Sequence, residues 1–416
     1  MRSGERLTLQ IERPAVGGRM IARHEGAIVF VAGAIPGEMV EVEVERVQKG
    51  IAWAATRNVV VRSPDRVDDA EDGSCGGCVL NHIRYERQLQ IKAAIIEDAF
   101  RRQGRLTLDV PLDVVPSPRD GYRMRARLHV RDGRIGFFRE GTHSLCDPAP
   151  TRQLHPDALA AMQALEPALA AQGRETVTEV ELAESIDGSL RACHLELARD
   201  ADPSRLATVT AIPGLTGVSC SHENRSRTRE LWGSPYVTDV IAGASLSRHA
   251  RAFFQGNRFL VAPLVQHVLA QISEGPIVDL YAGVGLFSVT AALVHGHPVI
   301  AVEGDEVSAV DLKTNAEQCS GKVDVRAESV EGYLRRAHAA PATVVLDPPR
   351  TGLSRDALAG TLALRAARLV YVSCDIATLA RDARLILDAG YRISSARAFD
   401  LFPGTAHVET VISFAR

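Results

Sequence analysis

No stretch of this 416-residue chain approaches the ~18 consecutive apolar residues of a membrane-spanning helix. The opening Met1-Arg-Ser-Gly-Glu-Arg-Leu lacks the apolar core of a secretory signal, so a cytoplasmic protein without a membrane partner is expected. Cysteine is scarce: seven residues, of which only Cys75 and Cys78 stand close together, which excludes a small disulfide-framework fold. Lysine is nearly missing. Lys49, Lys92, Lys313 and Lys322 are the four lysines among 48 basic residues, leaving 44 arginines. A GC-rich coding bias produces such a skew, and arginine's stacking and forked donors also suit RNA; the count alone does not choose. Internal repeats and low-complexity tracts are absent, and a net charge of −3 excludes a polycation. With 46% hydrophobic and 24% charged residues the chain has the balance of a core-forming protein, neither disordered nor collagen-like. At about 150 residues per domain its length implies two or three domains.

Residues 1–62 read as short strands, Leu7 to Ile11, Gly26 to Ala32, Glu38 to Val47 and Ile51 to Val61, separated by glycine and proline turns. Met39-Val-Glu-Val-Glu-Val-Glu-Arg46 alternates apolar and charged residues, the period of a strand with one wet face. About five short strands in this length suit an OB-type β-barrel. Ser63 to Ser74 is polar and turn-rich, a linker before the Cys75-Gly-Gly-Cys78 turn. Helices are predicted over Tyr85 to Arg102 and His155 to Gln172, within a mostly β central region of residues 63–250. There, Tyr122-Arg-Met-Arg-Ala-Arg-Leu-His-Val130, taken as a strand, puts Arg123, Arg125 and Arg127 on one face and Met124, Ala126, Leu128 and Val130 on the other. Residues 101–140 hold ten arginines against five acids. The face is either a solvated sheet surface or a track for RNA phosphates.

Residues 251–416 alternate strands with helices. Apolar runs at Pro276 to Leu280, Pro298 to Val302, Thr343 to Leu346 and Leu369 to Ser373 are separated or followed by helical stretches such as Ser308 to Cys319 and Ile376 to Leu387. This is the pattern of an α/β, doubly wound, Rossmann-like parallel sheet, and His407 to Arg416 is expected as its final edge strand.

In Asp279-Leu-Tyr-Ala-Gly-Val-Gly-Leu-Phe-Ser288, Gly283 and Gly285 let the backbone approach a ligand at the carboxyl end of a strand. The third glycine of the dinucleotide fingerprint is replaced by Ser288, and Glu303 ends the next strand, placed to hold a ribose diol. That combination favours S-adenosylmethionine over NAD. Asp347-Pro-Pro-Arg350 ends a further strand with its carboxylate fixed by proline rigidity, and Ser373-Cys374-Asp375 ends the one after it. A cysteine beside a methyl donor suggests covalent catalysis. Pyrimidine C5 is a poor nucleophile until a thiolate adds to C6, and a base, for which Glu409 is the candidate, must then remove the C5 proton. On residue chemistry alone, Cys374 is equally a buried structural cysteine and Glu409 an ordinary edge carboxylate.

Asp-Leu-Tyr-Ala-Gly-Val-Gly, Asp-Pro-Pro-Arg-Thr-Gly-Leu, Val-Ser-Cys-Asp-Ile-Ala-Thr-Leu-Ala-Arg-Asp and Phe-Pro-Gly-Thr-Ala-His-Val-Glu-Thr-Val resemble, in that order, the motifs of the RNA uracil-C5 methyltransferases. Glu-Gly-Ala-Ile-Val-Phe-Val and Ala-Ile-Pro-Gly-Glu near the start resemble a TRAM domain, an RNA-binding OB-type barrel. The resemblance implies that Cys374 is the nucleophile and Glu409 the proton acceptor. It places Gln255, Tyr281, Glu303 and Asp347 on the methyl-donor positions beside Gly283 and Gly285. Leu286 stands where the family commonly has asparagine, and Asp375 replaces the asparagine that usually follows the nucleophile. Cys75, Cys78 and Cys146 are similar to three of the four ligands of a [4Fe–4S] cluster in the 23S ribosomal RNA branch, and Asp69 occupies the position of the fourth. Zinc and a lost metal site are the competing readings.

The expected protein is therefore a monomeric RNA m5U methyltransferase acting on ribosomal RNA. Residues 1–62 would form a TRAM barrel, 63–250 a central domain and 251–416 an S-adenosylmethionine-dependent domain. The alternatives are a tRNA-directed enzyme, a dinucleotide oxidoreductase on the same sheet, and an RNA-binding protein with a silent methyltransferase domain.

Overall fold

The computed structural model describes residues 1–68, 73, 75–173, 176–203, 206, 209–222, 227–337 and 340–416. Five strands, Arg6–Pro14, Met20–His24, Ala27–Ala32, Met39–Gln48 and Ile51–Val61, close into a barrel in the order first, second, third, fifth, fourth. The alternation read in the fourth strand is real: Val40, Val42 and Val44 are buried inside the barrel, while Glu41 and Glu45 face water. Met20–His24, which sequence reading passes over, is short and interrupts no pattern, yet it pairs on both sides. Glu38 is fully buried where the barrel meets the linker, held by the Ile35 amide at 2.9 Å and by the Arg66 guanidinium at 2.6 Å.

The central region is a seven-stranded sheet. Its order is Arg229–Gly233, Gly217–His222, Arg191–Leu197, Val177–Glu184, Arg125–Arg131, Arg134–Phe138 and Leu145–Cys146. Met124, Ala126, Leu128 and Val130 are all buried, as the alternation required. Helix Pro156–Ala170 packs Ala158, Ala161, Met162, Leu165 and Leu169 into the same core as Leu128 and Val180. A fully buried Leu or Met of this kind contributes roughly 1.5–3 kcal/mol relative to exposure.

The C-terminal sheet has eight strands in the order Val323–Ala327, Val299–Glu303, Ile277–Leu280, Thr343–Leu346, Arg368–Ser373, Glu409–Ala415, Arg392–Phe399 and Leu112–Val115. The first five are parallel. Successive residues of its central strands feed opposite cores: Val278, Leu280, Val344 and Leu346 on one face, Ile277 and Val345 on the other. Both faces are therefore covered, which explains the unbroken apolar runs. From Ile277–Leu280 the chain moves to one neighbour, Val299–Glu303, and returns to the opposite neighbour, Thr343–Leu346. That reversal opens a ligand crevice at the strands' carboxyl ends.

Two placements differ from the pattern read in the sequence. The last strand, Glu409–Ala415, is not an edge: it lies between Arg368–Ser373 and Arg392–Phe399, antiparallel to both. The edge is Leu112–Val115, a strand from the central stretch of the sequence, parallel to Arg392–Phe399. Strand order in space is decided by crossovers, and a linear hydrophobic pattern does not carry it. Among the described residues no helix is long and apolar enough to cross a membrane.

Candidate active site

The crevice begins with strained backbone. Tyr281, directly after its strand, adopts φ +65°, a left-handed conformation that costs a non-glycine residue energy and is concentrated at functional sites. Gly283 follows at φ +56°, and a Cβ there would meet nothing within 4 Å, so the loop is open toward a ligand. Gly285 serves packing instead: at φ +97° its Cβ would lie 2.6 Å from Val289 Cγ2. Glu303 ends the neighbouring strand, and its carboxylate accepts the Gly283 amide at 2.7 Å and the Asp305 amide at 2.6 Å. The amide that a pyrophosphate would seek in a dinucleotide site is thus already engaged by an anion.

Asp347 ends the strand on the other side and is reached by Gln255 Nε2 at 3.2 Å. Burial pushes its carboxyl up to about 7, with the Gln255 amide pulling back and the Glu303 charge adding to the rise. Asp279 is fully buried, and burial pushes it up to about 8, with the neighbouring Ser288 hydroxyl and amide pulling back and the Asp347 and Glu303 charges adding to the rise. Burial also raises Glu303 and lifts Glu409 well above the ordinary carboxylate range, the nearby Asp347 charge adding to the latter. Among the described residues none of these four carboxylates is within salt-bridge distance of a lysine or arginine. The crevice gathers carboxyl groups whose burial favours the neutral form, so a bound cation would stabilise their ionised state while a diphosphate would oppose it.

Cys374 follows Arg368–Ser373, and Glu409 opens Glu409–Ala415. Ser373 pairs with Thr410 at the end of these antiparallel strands, which brings Cys374, just past its strand, near enough to Glu409 for the carboxylate charge to act on the thiol. Burial pushes the Cys374 thiol up to about 12; the Glu409 charge adds to that, and the Arg350 guanidinium opposes it. Glu409 Oε1 has no hydrogen-bond partner. Arg350, at the end of Asp347-Pro-Pro-Arg350, thus joins the site as the cation acting on both groups, a role its sequence position did not announce. Asp375 caps helix Ile376–Asp388, accepting the Thr378 amide at 2.8 Å, which accounts for an acid after the cysteine.

Phe253 is the other residue sequence reading left unassigned. It lies two positions before Gln255, is 58% exposed, and has the Arg125 guanidinium 5.3 Å from its ring centre. The arginine face does continue from the crevice, but it is not a bare row of charges. Arg125 pairs with Glu181 at 2.5 Å, and Arg127 with Glu181 at 2.7 Å and Glu179 at 3.4 Å. Arg123 donates to Gln153 Oε1 at 2.7 Å and lies over Phe137, with Phe402 beyond.

The expected cluster ligands do not fit a four-thiolate centre. Cys75 and Cys146 are joined as a disulfide, so neither offers a thiolate, and the buried Cys78 lies outside that bond. Among the described residues no group of three or more His, Cys, Asp or Glu is arranged to hold a metal. Asp69 lies outside the described residues. Its neighbour Asp68 is exposed and paired with Arg62.

A barrel in front of a doubly wound sheet, with a cysteine and a buried carboxylate at the same edge of that sheet, is the architecture in which comparison with known proteins finds an RNA methyltransferase. Residues 2–54 match the TRAM domain and residues 330–416 the tRNA (uracil-5-)-methyltransferase family. An RNA methyltransferase of Corynebacterium efficiens is 31% identical over 99% of this chain and 95% of its own length. One of Nitratidesulfovibrio vulgaris is 30% identical over 99% and 96%. The tRNA (uracil-54, C5)-methyltransferase of Pyrococcus abyssi, solved with S-adenosyl-L-homocysteine, superposes with a TM-score of 0.76, covering 98% of this chain and 99% of that one at 24% identity. The chain belongs to the RNA uracil-C5 methyltransferase family.

Proposed function

We propose that the protein methylates C5 of a uridine in RNA, with S-adenosylmethionine as methyl donor and a covalent bond from Cys374 Sγ to uracil C6. The observation that carries this reading is the pairing of Ser373 with Thr410, which brings Cys374 and the buried Glu409 near enough for the carboxylate charge to raise the thiol. The donor fits the crevice: Glu303 at the strand end would hold its ribose diol, its cationic groups would favour the ionised form of the buried Asp347, and Gly283 leaves room for it. A dinucleotide would bring a diphosphate against the same anions.

S-adenosylmethionine supplies an electrophilic methyl group. Cys374, as thiolate, adds to C6; the Sγ–C6 bond forms and the C5=C6 electrons move toward O4, making C5 nucleophilic. C5 takes the methyl group, and the electron pair of the broken sulfur–carbon bond stays on the donor's sulfur. Glu409 then removes the C5 proton, the C–H pair reforms C5=C6, and the Cys374 thiolate leaves. Arg350 favours the thiolate at the start and receives it again at the end. Residues 1–62 and, on the Arg123–Arg125–Arg127 face of 63–250, chiefly the exposed Arg127 hold the RNA, while 251–416 carries the chemistry.

Ribosomal RNA is one reading of the substrate, resting on the resemblance of the front end and the cysteine set to the ribosomal RNA branch. Transfer RNA is the second, favoured by the full-length likeness to the Pyrococcus tRNA enzyme: the same three-part architecture occurs there, so a front barrel does not by itself mark an rRNA enzyme. Mass-spectrometric mapping of m5U in rRNA and tRNA from a deletion strain tests both. Loss of m5U from 23S rRNA supports the first reading and loss from tRNA the second. Unchanged m5U in both contradicts the proposal.

A further inference from the structure

Glu409 is the first residue of its strand, and the residues before it, 400–408, form a loop between two adjacent antiparallel strands. A connection of this length does not fix its own conformation, as a tight two-residue hairpin turn does. The sheet strand Leu112–Val115 holds its start, the Asp400 amide donating to the Val115 carbonyl at 3.0 Å, and Asn257 Nδ2 donates to the Leu401 carbonyl at 3.1 Å; a denser set of contacts comes from helix Tyr85–Ala99 behind the Cys75-Gly-Gly-Cys78 turn. Lys92 is fully buried; its ammonium pairs with the Asp400 carboxylate and donates to the Phe402 carbonyl at 3.0 Å. Tyr85 Oη donates to the other Asp400 oxygen at 2.9 Å. Gln88, also fully buried, accepts the Gly404 amide at 3.1 Å and donates to the Leu80 and Ile83 carbonyls at 3.0 and 2.9 Å. The Leu80 amide closes the frame by donating to the Gly404 carbonyl at 2.8 Å. Gly404 adopts φ +76°, a conformation that strains a side-chain-bearing residue, and a Cβ there would also lie 2.3 Å from Asn81 Oδ1.

The residue types are telling. A buried, charged lysine is rare unless paired, and this chain otherwise uses arginine almost throughout. A compact ammonium with three donors binds a carboxylate and a carbonyl in a space that a flat guanidinium fork does not match. We propose that Lys92 and Gln88 are positioning residues for the proton-removal step: they hold loop 400–408 so that Glu409 stays near Cys374. The proposal rests on the covalent reading of the site, and its test separates the two.

Two variants probe the frame. Lys92→Met with Asp400→Asn removes the buried charges together, leaving no lone ion; Gln88→Leu cuts the Gly404 tether while keeping the ion pair, and serves if the double variant does not fold. Each is followed in single turnover with methyl-labelled donor and RNA, reading the denaturation-stable protein–RNA adduct, free product, the RNA KM and the melting temperature. A small displacement of a catalytic group costs up to roughly 100-fold in its own step. The expected result is adduct formation near the wild-type rate, release of methylated RNA slowed by about tenfold or more, and an RNA KM changed by less than about twofold. Methylated adduct then accumulates. A purely structural role gives the opposite: adduct and product fall together in proportion to folded protein, with no accumulation, and that result, like wild-type release rates, overturns the proposal. If Glu409→Gln itself traps no adduct while the wild type still methylates, the covalent reading has failed instead.

Discussion

Ser373 and Thr410 pair across antiparallel strands, and that pairing brings two separate segments of the sheet together so that the Glu409 charge acts on the Cys374 thiol. Had Glu409–Ala415 been an edge strand with no partner on that side, Glu409 would hang in solvent. Instead it is buried, its carboxyl is raised, and one oxygen is unpartnered. A base in that state is poorly solvated and ready to accept a proton once the C5 hydrogen is acidic.

Arg350 lowers the cost of ionising Cys374. Its guanidinium opposes the burial that pushes the thiol up to about 12, and it opposes the rise of Glu409 as well. Arg350→Gln removes that help, so the thiol rises further and less thiolate exists at any given pH. The rate of adduct formation, followed against pH with saturating donor, should shift to the alkaline side by about one unit. An unmoved profile would remove Arg350 from the chemistry.

Donor binding should depend on pH with a definite sign. Burial holds Asp347 near 7 and Asp279 near 8, so both carboxyls protonate as pH falls through that range. Only the ionised forms attract a cation. S-adenosylmethionine affinity measured by calorimetry should weaken by roughly tenfold from pH 8.5 to pH 6, one pKa unit being about 1.4 kcal/mol. A diphosphate ligand would show the reverse trend, because acid would relieve its repulsion.

The arginine face predicts two different phenotypes. Arg127 is 57% exposed at its side chain, whereas Arg125 is 17% exposed and shares Glu181 with it. Arg127→Ala should lower the slope of log affinity for RNA against log salt by roughly 0.7–0.9, one phosphate contact, with the melting temperature unchanged. Arg125→Ala should chiefly lower the melting temperature, since it leaves the largely buried Glu181 short of a partner. Equal effects of both on the slope alone would contradict this division.

Much of the architecture was legible because each element carries its own period. Alternation in residues 39–46 and 124–130 marked half-buried strands, and the apolar runs at 277–280 and 343–346 marked strands covered on both faces. What was not legible depends on partners distant in sequence. Glu181 neutralises Arg125 from a strand 56 residues away, Leu112–Val115 completes a sheet that begins at Ile277, and Arg350 acts on Cys374 only because their strands are neighbours. The cysteines show the same limit: spacing groups Cys75 with Cys78, but the fold joins Cys75 to Cys146.

The central claim, a covalent route in which Cys374 and Glu409 act at opposite ends of one intermediate, is tested most directly by denaturing gel electrophoresis of Glu409→Gln after reaction with methyl-labelled donor and RNA. Methyl transfer should proceed and release should stop, leaving a slow-migrating, labelled protein–RNA band that disappears when Cys374→Ala is added. A Cys374→Ala protein that still methylates RNA at near wild-type rate, or a Glu409→Gln protein that turns over freely without the band, would contradict the account.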